Sequence, residues 1–333
     1  MPVTSSRQIV PPTVTVEVHI GPGDRGIALE RDVRAGLCAE QKALPPVWFY
    51  DERGSRLFDE ITRLPEYYPT RAEREILRRH APEIVALAGT STLVELGSGT
   101  SDKTRLLLDA MASMGLLERF VPFDVSEEIL TSAAGEIGET YGCAVHAVVG
   151  DFHRHLGAIP SAEDGRLVAF LGSTIGNLEP ARRQGFLADL ASSMSTDDRL
   201  LLGTDLVKDP VRLVAAYDDA AGVTAEFNRN VLAVLNAELE GDFVPEAFEH
   251  VVLWDPQNAW IEMRLRSTGP QVVRLAALDL EVSFAAGEEL HTEISSKFRV
   301  EQVADELEAG GFVVEGTWQD PDGDFLLTLA RRS

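Results

Sequence analysis

Between residues 91 and 207 the chain repeats one pattern: a short apolar run, a turn, then an amphipathic helical stretch. The first copy is STLVELGSGTSDKTRLLLDAM. ERFVPFDVS is a second strand, ending at Asp124, and AVHAVVGDF a third, ending at Asp151. RLVAFLGSTIGN is a fourth and fully apolar strand with RRQGFLADLASSM as its helix; DRLLLGTDLV is a fifth. Repeating βα units with apolar strands imply a parallel sheet covered on both faces. The repeat makes the fold class α/β.

After about Lys208 the rhythm breaks. Residues 210–240 have helical spacing, and EHVVLWD, AWIEMRLRS and QVVRLAALDLEVSF read as a meander of antiparallel strands. The tail, from SKFRVEQVADELEAGGF to GDFLLTLARR, reads as a helix and two strands that return to a sheet edge. Upstream, IALERDVRAGLCAEQ (27–41) is helical, and a second helix runs from about Arg71 to Ala88. The expected organisation is therefore a main α/β domain of residues 71–207 and 298–333. A second α+β domain of residues 25–70 and 208–297 is inserted into it, and residues 1–24 form a flexible arm. A length of 333 residues suits two such units.

Composition excludes several function classes. Thirty basic against 54 acidic residues leave a net charge of −24, which argues against nucleic acid or an anionic membrane as partner. No apolar run reaches the ~18 residues of a membrane span, and the N-terminus lacks the pattern of a signal peptide. Two cysteines, Cys38 and Cys143, make no disulfide framework. A cytoplasmic location is expected, and a monomer, because no long amphipathic seam stands out.

The run VELGSGTSDK (94–103) puts glycines between a strand and a helix, where the backbone turns sharply and a ligand can lie against it. Gly97 and Gly99 are followed by Thr100, Ser101 and Asp102, so the third glycine of a dinucleotide fingerprint is missing and NAD is weakly supported. A purely structural turn fits the same residues. Beyond the turn, Asp124 at its strand end can accept from both hydroxyls of a ribose. Asp151 can accept from an adenine amino group, with Phe152 stacked on the base. Glu95, Gly97, Asp124 and Asp151 at successive strand ends form the adenosine cradle of a class I (Rossmann-like) S-adenosylmethionine methyltransferase. Lys103 reaches the cofactor's carboxylate from the first helical turn, although a solvated helix lysine fits its spacing equally well.

Several longer segments carry a more specific resemblance: LPPVWFYDERGSRLFDEIT, LPEYYPTRAE, LVELGSGTSDKTRLLLDAM, FLGSTIGN, LLGTDLVKD, AYDDAAGVTAEFNRNVL and HTEISSKFR. From about Arg31 to its end the chain resembles the L-histidine Nα-methyltransferases of ergothioneine biosynthesis. The resemblance implies three methyl transfers from S-adenosylmethionine to the α-amino nitrogen of histidine, through mono- and dimethyl intermediates, to give hercynine without a metal. It implies cofactor contacts at Gly97, Lys103, Asp124, Asp151 and Phe152. Histidine contacts fall on Tyr67, Asn177, Tyr217, Glu293, Ile294 and Ser295, with Phe58, Gly172, Thr174 and Met263 lining the pocket. Tyr50 is a further contact, and Tyr67, Tyr50 and Asn177 are the expected catalytic groups.

On the residues alone these assignments have plainer alternatives. Tyr217 lies in an apolar pattern and reads as packed, Asn177 as a turn residue, Glu293 as a solvated charge and Met263 as core. His153 and His155 resemble half a metal site with no partner cluster. In TEISS, Glu293 and Ser295 are two apart, so an extended segment points both the same way, one carboxylate and one hydroxyl for the two ring nitrogens. In LPEYYPT, Tyr67 is expected to face histidine while Tyr68 packs beneath it. A methyltransferase for a different amine, or a binding protein without catalysis, are the competing readings.

Overall fold

The computed structural model describes residues 13–21, 23–99 and 101–333. Strand β1 (Val14–Val18) and helices α1 (Asp24–Leu37), α2 (Glu52–Ile61) and α3 (Pro69–Ala88) precede the repeat. The repeat is β2 (Thr92–Leu96), α4 (Arg105–Ser113), β3 (Arg119–Asp124), α5 (Glu127–Tyr141), β4 (Ala144–Val149), β5 (Arg166–Phe170), α6 (Pro180–Ser193) and β6 (Arg199–Asp205). Next come α7 (Pro210–Ala215), α8 (Val223–Leu239), β7 (Phe248–Asp255), β8 (Trp260–Ser267), β9 (Gln271–Leu275), β10 (Leu280–Phe284) and β11 (Glu289–Ser296). Helix α9 (Val300–Ala309) and strands β12 (Phe312–Gln319) and β13 (Phe325–Arg332) end the chain.

Eight strands form one sheet in the order β1-β4-β3-β2-β5-β6-β13-β12. Pairs from β1 to β6 are parallel, and β13 and β12 join antiparallel. The chain builds outward from β2 to β4 and then returns to lay β5 on the other side of β2. In open sheets of this kind ligands sit at the carboxyl ends of the strands, where the order reverses. Gly97, Asp124, Asp151, Gly172 and Asp205 all fall at or just past those ends.

Apolar clusters cover the two faces of the sheet. One gathers Ile76, Leu77 and Ile84 of α3 with Leu108 and Leu130; the other gathers Phe186, Leu190, Phe298 and Val303. Helix α3 starts with Pro69 at its first position, where no amide donor is lost, and ends on Gly89 in the left-handed region. A third cluster is separate. It joins Val33, Phe49, Phe227, Leu232, Phe248, Met263 and Phe284, with Tyr67, Tyr68 and Tyr217 among its buried members. Its sheets are the antiparallel β11-β8-β7 and the pair β10-β9.

Three sequence expectations need correction. Where it is described, the arm of residues 1–24 is ordered structure: Val14–Val18 pair in parallel with β4, His19 N–H donates to the Val149 carbonyl, and α1 already starts at Asp24. All five β1 residues are exposed, so its backbone ladder holds the strand and no buried face marked it in the sequence. Residues 1–12 lie outside the described residues. The helical run 210–240 is broken after Ala215, because Gly222 takes a left-handed conformation (φ 76°) and Asp219 caps α8 through the amides of Val223 and Thr224. Tyr217 therefore sits in a turn. The stretch QVVRLAALDLEVSF folds back on itself as β9 and β10, leaving β11 to pair with β8.

Candidate active site

The glycine turn leaves β2 with Gly97 at φ 70° and Gly99 at φ 48°, both in the region that favours glycine. The Gly99 and Ser126 amides donate to the Asp124 carboxylate at 3.0 and 3.1 Å. Burial raises the Asp124 pKa, and those amides oppose the rise. Beneath the turn Glu95 is buried and bonded to Thr104; burial pushes its pKa up to about 7. Glu95 Oε2 and Ser98 Oγ are buried with no hydrogen-bond partner among the described residues. Polar atoms orphaned around a glycine turn are what a bound polar cofactor satisfies.

Asp151 follows β4 and accepts the His153 amide at 2.9 Å. The Phe152 ring packs edge-on against Phe170 and Phe186, at 5.4 and 5.8 Å. His155 Nδ1 accepts the Asp151 amide and His153 stands against Phe186, so both histidines have other partners. The acidic group Asp320, Asp322 and Asp324 lies elsewhere, on the β12–β13 turn. There Asp320 accepts the amides of Asp324 and Phe325, and Asp324 pairs with Arg212.

Lys103 is not a free surface lysine. It pairs with the fully buried Glu73, whose carboxylate also accepts the Gly172 amide at 2.9 Å. Sequence reasoning missed Glu73. The signal was there: it occupies the apolar stripe Ala72, Ile76, Leu77 of α3, where an unpaired charge costs several kcal/mol.

The loop after β5 crosses to the inserted layer. Gly176 packs directly on β11: a Cβ there would lie 2.9 Å from the Ser296 carbonyl oxygen. That contact sets Asn177 against β11, and its Nδ2 donates to Glu293 Oε1 at 2.9 Å. Thr174 turns its hydroxyl back to the Leu171 carbonyl. Burial pushes the Glu293 pKa up to about 7, opposed by the Lys297 charge and the Asn177 amide. Glu293 and Ser295 lie on one face of β11 and Ile294 on the other, so only the main chain of Ile294 lies between them. Met263 is buried directly across from Glu293 on β8.

Aromatic rings enclose this end. Phe58 meets Tyr50 at 5.7 Å and Tyr67 at 6.3 Å, and Tyr67 meets Tyr217 at 6.2 Å, all edge-on. Burial raises the phenols of Tyr50, Tyr67 and Tyr217 well above their usual range. The Asp124 charge contributes to the rise at Tyr50. Tyr217 shares a 2.7 Å hydrogen bond with Ser295 Oγ. Tyr68 does more than pack: its hydroxyl donates to Asp205 at 2.8 Å and accepts from Lys208 at 2.8 Å. Lys297, two residues beyond Ser295, was also missed; its ammonium is fully buried.

A mostly parallel sheet with this strand order, a glycine turn at the reversal and carboxylates at the next two strand ends define a class I S-adenosylmethionine-dependent methyltransferase. Residues 29–332 match the family described as histidine-specific, S-adenosylmethionine-dependent methyltransferases, and the chain belongs to that family. It is 60% identical over 321 residues to the histidine N-alpha-methyltransferase of Mycolicibacterium smegmatis, covering 96% of this chain and 100% of that protein. The protein of the same name from Mycobacterium tuberculosis is 56% identical, with 96% and 99% covered. Ergothioneine biosynthesis protein 1 of Neurospora crassa is 32% identical over 212 residues, 61% of this chain and 24% of that protein.

Proposed function

We propose that the chain methylates the α-amino nitrogen of L-histidine three times, with S-adenosylmethionine as donor, to give hercynine in ergothioneine biosynthesis. The observation that carries this reading is the Asn177–Glu293 bond. It joins the loop beside the cofactor end of the sheet to a half-buried carboxylate that stands next to a hydroxyl pair. A carboxylate and a hydroxyl on one face complement a ring with one N–H and one lone pair. The family and the two mycobacterial relatives support histidine as the acceptor.

In this reading Asp124 holds the ribose hydroxyls, Asp151 and Phe152 the adenine, Lys103 the cofactor's carboxylate, and Gly97 lets the cofactor lie on the backbone. Bound there, the cofactor supplies an electrophilic methyl group on a sulfonium. Glu293 and Ser295 hold the imidazole, and Tyr217 fixes Ser295 through the hydrogen bond they share. Asn177, Tyr67 and Tyr50 orient the amine, with Phe58, Gly172, Thr174, Met263 and the main chain of Ile294 shaping the pocket. Holding amine and methyl in line is the main source of rate.

The ammonium of free histidine has no lone pair, so a proton leaves before each transfer. Burial keeps Tyr50 and Tyr67 neutral. Their oxygens therefore accept the amine's N–H bonds and pass the proton toward water, and no phenolate is needed. The same rings stabilise the growing methylammonium by cation–π attraction. A trimethylated nitrogen has no proton left to lose, which ends the series.

The second α+β unit, residues 25–70 and 208–297, is the substrate-binding part, placed against the α/β part of residues 71–207 and 298–333. In this reading the protein works as a cytoplasmic monomer, with Cys38 and Cys143 as free thiols.

Mass spectrometry of the twenty amino acids after incubation with the cofactor tests the reading. Histidine carrying one, two and three methyls is expected. Label on a different amino acid would redirect the enzyme to that amine, and cofactor binding with no homocysteine product would leave a binding protein.

A further inference from the structure

Lys297 has a task beyond filling space. Its ammonium is completely buried and has three acceptors for three N–H groups: Asp205 Oδ2 at 2.9 Å, the Tyr217 hydroxyl at 2.8 Å and Ser295 Oγ at 2.9 Å. An ammonium only donates, so it occupies a lone pair on each hydroxyl. The two hydroxyls are 2.7 Å apart and share one hydrogen bond. The phenol is the more acidic of the pair and the alkyl hydroxyl oxygen the more basic, so the bond runs from Tyr217 to Ser295. Ser295 then has both lone pairs filled, one by Lys297 and one by Tyr217. With the bond in that direction, what it has left is its own proton, and its other hydrogen-bond partner, Lys297, is a donor. Two residues back on the same face, ionised Glu293 can only accept.

We propose that Lys297 is a positioning residue that makes Ser295 an obligate hydrogen-bond donor, so that the site takes the neutral imidazole in a single tautomer. One ring nitrogen gives its N–H to Glu293, and the other offers its lone pair to Ser295. The imidazolium, with two N–H groups, meets a donor where it needs an acceptor and is rejected. This rests on histidine being the substrate and specifies the form in which its ring binds. The charged groups facing Lys297 are Asp205 and Lys208 from the end of β6 and Glu293 from β11. The phenols beside it are Tyr68 and Tyr217.

Lys297→Met tests this and keeps an unbranched side chain in the space. Asp205 retains Lys208 at 2.5 Å and the Tyr68 hydroxyl at 2.8 Å, so the variant leaves no carboxylate unpaired. The readout is the ¹⁵N spectrum of labelled histidine bound together with S-adenosylhomocysteine at about pH 7.5, above the Glu293 pKa of about 7, so that this carboxylate is ionised and only accepts. On the wild type one ring nitrogen is expected to carry hydrogen and the other a lone pair. On Lys297→Met, Ser295 regains an acceptor and both nitrogens are expected to be protonated. The histidine KM should rise about 10- to 100-fold with a smaller change in kcat. Affinity for S-adenosylhomocysteine reports that the variant is folded. A doubly protonated ring on the wild type overturns the proposal without any variant, and so does a variant spectrum identical to that of the wild type. Absence of any bound histidine signal is a different outcome: it removes histidine as the substrate, and this proposal with it.

Discussion

At the carboxyl ends of β2, β3 and β4 the site consists of backbone turns and one carboxylate per strand, whereas the wall from the inserted layer consists of side chains that hold one another. Asp124 is fixed by the amides of Gly99 and Ser126, within its own sheet. Glu293 is fixed by Asn177, which lies 116 positions away in sequence, and Ser295 by Tyr217 and Lys297. The first wall is local and tolerant of its surroundings. The second exists only when three separate parts of the chain meet, and its polarity depends on which hydrogen each group has left to give.

If the two walls serve two ligands, they should fail separately. Asp124→Ala is expected to have the largest effect, weakening S-adenosylhomocysteine binding by about 100-fold or more. It removes two charge-assisted hydrogen bonds of ~1.5–3 kcal/mol each, measurable by calorimetry. Glu293→Ala should raise the histidine KM about 10- to 100-fold and leave cofactor affinity nearly unchanged. A loss of cofactor affinity in that variant would collapse the division.

The acidic limb of kcat/KM sharpens the same contrast. Glu293 must be ionised to accept, and its pKa is pushed up to about 7, so activity should fall as pH drops through that value. In Glu293→Gln the limb should retreat to that of the substrate's own ring, at about 6.5. An unmoved pH profile would take Glu293 out of the pocket.

The adjacent tyrosines should separate next. Tyr67→Phe is expected to lower histidine kcat/KM about tenfold with little change in urea stability. Tyr68→Phe takes a donor from the buried Asp205 and should cost ~1–3 kcal/mol of stability, with catalysis retained. The smallest effect belongs to Ile294→Val, because that side chain lies on the opposite face of β11. The expected changes are a KM within about twofold and ~0.5–1.5 kcal/mol of stability.

Most of the α/β fold is legible in sequence because its signals are local. Five apolar strands and their turns each span about ten residues, and glycines or carboxylates mark their ends. The strand β1 escaped notice because its five residues are all exposed and it is held by its backbone ladder and by polar contacts of Thr15 and Glu17 with His146, with no apolar face to mark it. The break before α8 escaped because apolar spacing continues through it, while a glycine turn and the Asp219 cap stop the helix.

The site was readable unevenly for the same reason. Glu293, Ser295 and Tyr217 could be named from family resemblance, but composition alone made them a surface charge, a hydroxyl and a core ring. Glu73 and Lys297 were missed altogether. A buried charge differs from a solvated one only by the partners that surround it, and those partners lie 30 and 92 positions away, at Lys103 and Asp205.

The sequence by itself determined the class of fold, the end of the sheet where a cofactor lies and the family to which the chain belongs. Periodicity and strand-end chemistry are short-range, and they survive without knowledge of the rest of the chain. Only the tertiary structure decided that Lys103 is tied to Glu73, that Asn177 reaches Glu293, and that Lys297 leaves Ser295 with a single proton to give. Each of these is set by desolvation and by saturation of hydrogen-bonding groups, which arise when distant segments pack together.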